Sequence, residues 1–140
     1  MDVLLVEKDR LVRDQMKVGL QQFAEFTVTW GEGYAAINEL RQRPYDVVFV
    51  GCDNKDDECI RLLKHLRSFD RMTEMIVVCG QRTARELHGE KTKLNISGFV
   101  QTPINVVEFF RVVGRLRARR QESEGAAPRA PVAPTRPARR

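Results

Sequence analysis

"RPYDVVFVGCDNKDDECIRLLKHLR" (residues 43–67) decides the fold. Pro44 interrupts whatever precedes it, because its ring removes a backbone donor and fixes φ. Asp46–Val50 is then a short run of apolar, β-favouring residues without alternation, the pattern of a strand buried on both faces. The run stops at Gly51, and Asp53, Asp56, Asp57 and Glu58 follow. A helix is predicted from about Asp57 to Leu66. Strand, acid-rich loop and helix make one β–α unit. Acids in a loop after a buried strand are where many α/β proteins keep a metal or a reactive group, yet the residue at the strand's end is a glycine.

The same unit recurs on either side. Val3–Val6 reads as a buried strand, followed by a helix over Asp9–Phe23 whose apolar residues Val12, Met16, Leu20 and Phe23 fall at helical spacing, with Asp9 as its N-cap. Thr27–Trp30 is a second strand and Tyr34–Arg41 a second helix, with "GEGY" (31–34) as a turn between them. Met75–Cys79 and Gly98–Gln101 are the fourth and fifth strands, a weaker helix lies within Thr83–Lys93, and the last helix begins near Asn105 after Pro103. Five such units with continuous Val/Ile/Phe strands imply a parallel sheet covered on both faces. Right-handed crossovers make it a doubly wound α/β sandwich with any site at the carboxyl ends of the strands.

Composition sets the bounds. The 140 residues suit one domain. No apolar run approaches the roughly 20 residues that span a bilayer, and MDVLLVEKDR lacks the architecture of a signal peptide, so a cytoplasmic protein is expected. Cys52, Cys59 and Cys79 are odd in number and form no CxxC, which predicts reduced thiols. His65 and His88 stand apart from any cysteine pair, so no metal-ligand cluster and no cofactor are expected. Residues 1–114 hold 16 Lys and Arg against 17 Asp and Glu, a net of −1, whereas residues 115–140 hold 8 Arg and 2 Glu, a net of +6; the chain totals +5. From Gln121 the sequence turns to Ala, Pro, Arg, Gly and Ser. A domain over 1–120 and a disordered basic tail over 121–140 are expected.

Placed at the strand ends, three stretches resemble the receiver domain of bacterial two-component response regulators: "VLLVEKDRLVRDQM" its first strand and acidic turn, residues 43–67 its third strand, active loop and third helix, and "GFVQTPINVVEFF" its fifth strand, Lys-Pro turn and last helix. The resemblance covers roughly residues 2–118 and implies a five-stranded sheet of order 2-1-3-4-5 with five helices. It also implies a set of reactive positions. A working receiver phosphorylates an Asp at the end of strand three and holds magnesium with two acids after strand one. It adds a Ser or Thr after strand four and a Lys before the strand-five proline. Here Glu7 keeps one acid, Lys8 stands at the second, Gly51 at the acceptor, Cys79 at the hydroxyl and Thr102 at the lysine; Glu7 and Pro103 survive. Glycine has no oxygen to phosphorylate, and one Glu beside a Lys is a poor ligand set for a hard dication. The resemblance therefore points to a degenerate, pseudo-receiver, with neither phosphoacceptor nor metal and no enzyme activity. Asp53 is the one displaced acceptor to weigh; the simpler reading of the acids is a solvated loop with Asp56 or Asp57 capping the third helix.

Without phosphorylation, function falls to surfaces. In receivers the fourth helix, fifth strand and fifth helix form the usual partner face. On a 100° wheel the last helix carries a core stripe of Val106, Phe109, Val113 and Leu116, flanked by Phe110 and Val112, with Val107 outside it. Phe99, Gln101, Ile104, Val106, Val107 and Phe110 are the expected interface, for a signalling or scaffold protein or for a homodimer. "RLRARR" (115–120) and the arginines beyond it carry the remaining expectation, attraction to nucleic acid, an acidic partner or another anionic surface.

Overall fold

The computed structural model describes residues 1–52 and 58–126, with side chains as far as Glu122. Its centre is a parallel sheet of five strands, β1 (Asp2–Val6), β2 (Thr27–Gly31), β3 (Val47–Gly51), β4 (Glu74–Cys79) and β5 (Ile96–Gln101), in the order β2-β1-β3-β4-β5. The expected topology and order are those found. The helices are α1 (Arg10–Leu20), α2 (Gly33–Ile37), α3 (Glu39–Gln42), α4 (Glu58–Phe69), α5 (Gln81–Leu87) and α6 (Val106–Ala126). α2 and α3 are one expected helix interrupted at Asn38, which keeps helical dihedrals of −69° and −12°. Five helical segments thus connect or follow the five strands.

The unbroken apolar runs of the central strands are explained by burial on both faces. Along β3, Val48 and Val50 face a core with Ile37, Leu62, Leu63, Leu66 and Leu87, contributed by α2, α4 and α5. Val47 and Phe49 face the opposite core, where Met16 and Leu20 of α1 meet Phe109, Val113 and Leu116 of α6. All four β3 residues are essentially inaccessible to solvent. At the roughly 2 kcal/mol that full burial of one such side chain contributes, these four alone supply a substantial fraction of a domain's net stability.

Local signals account for most element ends. Asp9 caps α1, its Oδ1 accepting from the backbone N–H groups of Leu11 and Val12 at 3.0 and 3.2 Å. Gly33, with φ of +60°, makes the turn that lets β2 enter α2. α5 is short, continues as a 3-10 turn (His88–Glu90), and the chain then reverses through Asn95 at φ of +53°, a conformation Asn tolerates. This irregular segment is pinned from beneath. The buried Arg67 guanidinium donates to the carbonyls of Leu94 (2.7 Å), Asn95 (3.0 Å) and Asp70 (3.1 Å).

Two expectations are corrected at the C-terminus. α6 runs to Ala126, six residues past the expected end of the folded part; residues 127–140 lie outside the described residues. Val106 is 63% exposed and does not belong to the core stripe, whereas Val112 is buried. Val106 stands at the N-terminus of α6 on its exposed side, three residues before Phe109 enters the core.

Candidate functional site

Parallel strands deliver Glu7, Gly51, Gly80 and Thr102 to one edge of the sheet, where they line a cleft of about 380 Å³ with Lys8 and Cys52. A second, smaller cleft of about 240 Å³ lies beyond Glu7, lined by Glu32, Glu58, Cys59 and Leu62 among others. Glu7 and Gly51 form the wall between the two.

Glu7 defines the site. It follows β1, is buried, and its Oε2 accepts from the backbone N–H of Asp9 at 3.1 Å. A Cβ added at Gly51 would fall on the Glu7 carboxylate, with Oε2 only 2.6 Å away. Real Cβ atoms do not make such an approach, so a side chain at position 51 would require the end of the Glu7 side chain to turn away. The volume that an acceptor side chain at position 51 would need is therefore filled by a carboxylate reaching across from the neighbouring strand. Burial pushes the Glu7 carboxyl above its ordinary value, against the hydrogen bond from Asp9 and the nearby charge of Lys8.

The other positions divide. Lys8 is exposed, and the ion pairs among the described residues are Arg117–Glu25, Arg119–Glu74 and Arg120–Asp46, so Lys8 does not neutralise Glu7 by direct pairing. Thr102 lines the cleft, its N–H held by the Cys79 carbonyl at 2.9 Å, and it is joined to Pro103 by a cis peptide bond. Cys79 does not line the cleft. Its side chain packs in the aliphatic core on the α4 and α5 side, where burial pushes its thiol up to about 11. Asp53, Asp56 and Asp57 lie outside the described residues.

The described residues do not fit a magnesium ion. Glu7 is turned into the space at Gly51, Asp9 is committed to capping α1, and position 51 supplies no carboxylate. No group of three or more His, Cys, Asp and Glu side chains is arranged to hold a metal among the described residues. His65 is occupied structurally, its Nε2 2.9 Å from Asn38 Oδ1 and its ring edge-on to Tyr34 and Phe69.

The expectation of three reduced thiols is overturned. Cys52 and Cys59 are joined as a disulfide, with Cα atoms 5.1 Å apart. The chain leaves β3 and returns into α4 within seven residues, which brings the two Cα atoms into the 4.4–6.8 Å window that a bridge requires. Counting cysteines could not reveal this. The usable signal was positional: one cysteine directly after a strand and another in the first turn of the helix that follows it.

The six expected interface residues do not form one patch, because α6 separates them. Ile104, Val106 and Phe110 turn towards α1 and line, with Phe109, Val18 and Gly19, an apolar groove of about 530 Å³. Gln101 and Val107 lie on the other side, along a polar cleft with Gln81, Glu108 and Arg111. Phe99 is half-buried and packs against the core. The apolar excess of the last helix is therefore presented on the α1–α6 side, not on the α5–β5 side. The basic stretch 115–120 is also less available than its composition implies, since Arg117, Arg119 and Arg120 pair with Glu25 (2.7 Å), Glu74 (3.1 Å) and Asp46 (2.9 Å).

With this geometry in hand, the chain can be set beside known proteins. No protein-family model matches it. Transcriptional regulatory protein QseB of Escherichia coli O157:H7 is 29% identical over 133 residues, which span 91% of this chain and 56% of that protein. The chain thus spans about half the length of this curated relative. Among solved structures, a protein described as one of a family of streptococcal redox sensors evolved from two-component response regulators superposes with a TM-score of 0.73 at 16% identity, covering 97% of this chain and 59% of the other. The receiver domain of AraT, a response regulator from Geobacillus stearothermophilus, gives 0.72 at 18% identity, covering 88% and 97%. The response regulatory domain of mrkE from Klebsiella pneumoniae gives 0.73 at 14% identity, covering 87% and 99%. Strand order, crossover pattern and these superpositions agree: the chain has the fold of a response-regulator receiver domain.

Proposed function

We propose that this chain is a pseudo-receiver: a module of two-component signalling that has lost the aspartyl phosphorylation centre and works by binding another protein. One observation carries the reading. The Glu7 carboxylate occupies the space in which a receiver's acceptor side chain would stand. Receiver phosphorylation requires a nucleophilic carboxylate at that point, a dication to neutralise phosphate oxygens, and a donor pair around them. Here the point is filled, the ligand set is poor, the hydroxyl position is a core cysteine and the lysine position is a threonine. Among the described residues no nucleophile–base pair is assembled at the strand ends, which supports a binding module and not an enzyme.

What remains is a rigid sheet with an apolar groove between α1 and α6. Along it Val106 and Val18 are about 60% exposed and Phe110 more than a third. An exposed apolar cluster of this kind marks a contact surface more often than chance scatter does. The partner is a signalling or scaffold protein of the cytoplasm. The ion pairs of Arg117, Arg119 and Arg120 argue against nucleic acid as the main partner, because these three guanidinium groups already face carboxylates. Affinity capture comparing the whole chain with its Phe110→Glu variant tests the surface. Partners retained by the former and lost by the latter support it; an unchanged partner set sinks it.

A further inference from the structure

We propose that Cys52 and Cys59 form a reversible dithiol–disulfide couple at the edge of the vestigial pocket, so that this position is covalently modified by oxidation. The inference goes beyond the loss of phosphorylation and does not depend on the docking surface.

The two cysteines are held by separate elements. Cys52 directly follows β3, and its N–H donates to the Val78 carbonyl at 2.8 Å, which fixes its backbone to the centre of the sheet. Cys59 lies in the first turn of α4, a helix anchored in the core by Leu62, Leu63 and Leu66. Their Cα separation of 5.1 Å is therefore set by how β3 and α4 pack, so the reduced pair is already positioned to close. They also differ in access. Cys52 is half-exposed and lines the larger cleft, whereas Cys59 is buried and lines the smaller one. The third cysteine, Cys79, is free and buried in the same aliphatic core as Cys59, so the test must show which thiols pair.

The chemistry balances with a hydroperoxide as oxidant. The Cys52 thiolate attacks one peroxide oxygen, an S–O bond forms, the O–O bond breaks, and the peroxide leaves as alkoxide or hydroxide and takes up a proton. Cys52 is then a sulfenic acid, oxidised by two electrons. The Cys59 thiolate attacks the Cys52 sulfur, the S–S bond forms, the S–O bond breaks, and hydroxide leaves as water. Reduction runs by exchange: one thiolate of a dithiol reductant attacks the accessible Cys52 sulfur and Cys59 departs as thiolate; the reductant's second thiolate then attacks its own sulfur in the mixed disulfide, releasing Cys52 as thiolate and leaving the reductant as a disulfide. The covalent change sits beside Gly51, the position at which a receiver would be phosphorylated.

The test uses the full chain, fully reduced, then treated with hydrogen peroxide, quenched by alkylation and read by intact mass and peptide mapping. The expected result is loss of two thiols, a bridge between Cys52 and Cys59, and Cys79 left alkylatable after unfolding. Dithiothreitol should reverse the bridge in the native state. In Cys59→Ala, dimedone should trap a sulfenic acid on Cys52; in Cys52→Ser that trapping should be lost. Circular dichroism checks that each variant is folded, and the double variant Cys52→Ser/Cys59→Ala provides the unreactive reference. Bridges between chains, bridges to Cys79, or no disulfide where free cysteine is oxidised would overturn the proposal. So would a bridge that dithiothreitol reduces only after unfolding, since it would then be a structural staple.

Discussion

At the scale of single residues, the molecule turns on Gly51 and Glu7. Because the Glu7 carboxylate, the movable end of its side chain, fills the side-chain space of position 51, Gly51→Ala should destabilise the fold by about 1 kcal/mol, the low end of overpacking. The cost should shrink in the double variant Gly51→Ala/Glu7→Ala, where the two substitutions share one volume; urea denaturation of the four-member cycle measures the coupling. The charge of Glu7 gives a second expectation. Burial raises its folded-state pKa, so between the ordinary carboxyl value and the raised one the folded chain holds a proton that the unfolded chain has released. Stability from this group is fully present below the ordinary value of about 4.3 and declines as pH rises through the raised value. Glu7→Gln, whose amide oxygen can still accept from Asp9, should therefore be more stable than the parent chain at neutral pH and indistinguishable from it at low pH. Denaturation at both pH values decides this. That position 51 carries no carboxylate was legible in the sequence as a glycine at a strand end. That Glu7 fills the hole was not, because the two residues meet only across the β1–β3 pairing.

Among the elements, the strands were the most legible, since double-sided burial imposes uninterrupted apolar runs and the runs at Val47–Val50 and Met75–Cys79 are unmistakable. The α1 N-terminus was equally readable, because Asp9 advertises its cap. The segment from Gln81 to Asn95 was not. It is a short helix, a 3-10 turn and a left-handed Asn, and it keeps its shape through Arg67 below it, not through local propensity. Arg67→Ala should consequently cost about 3 kcal/mol, because three carbonyls lose a charged donor in a buried setting. Hydrogen exchange should show the loss concentrated at the start of β5. The disulfide was missed for a related reason: sequence spacing reports separation along the chain, whereas bridging depends on how β3 and α4 return to one another. The last helix was read only in part: Phe109, Val113 and Leu116 are core, but Val106 is exposed and Val112 is buried. The apolar groove beside it opens towards α1.

For the whole molecule, the topology followed from counting β–α units, and it fixes the chemistry by bringing the ends of β1, β3, β4 and β5 to one edge. The charge distribution followed less well. Composition alone separates a neutral body from a basic end, yet α6 folds that end back onto Glu25, Glu74 and Asp46. These pairs are partly exposed, so each contributes about 0.2–1 kcal/mol and is weakened by salt. The triple variant Arg117→Ala/Arg119→Ala/Arg120→Ala should lose about 1–2 kcal/mol at low ionic strength and visibly less in high salt. Thermal denaturation across a salt series measures it. The central claim, that this receiver fold has no working phosphorylation centre, is tested most directly by incubating the intact chain with acetyl phosphate and magnesium and recording its mass. The parent chain should remain unmodified. A phosphoryl adduct on the parent chain that disappears in Asp53→Ala would contradict the account and restore the molecule to the phospho-switches.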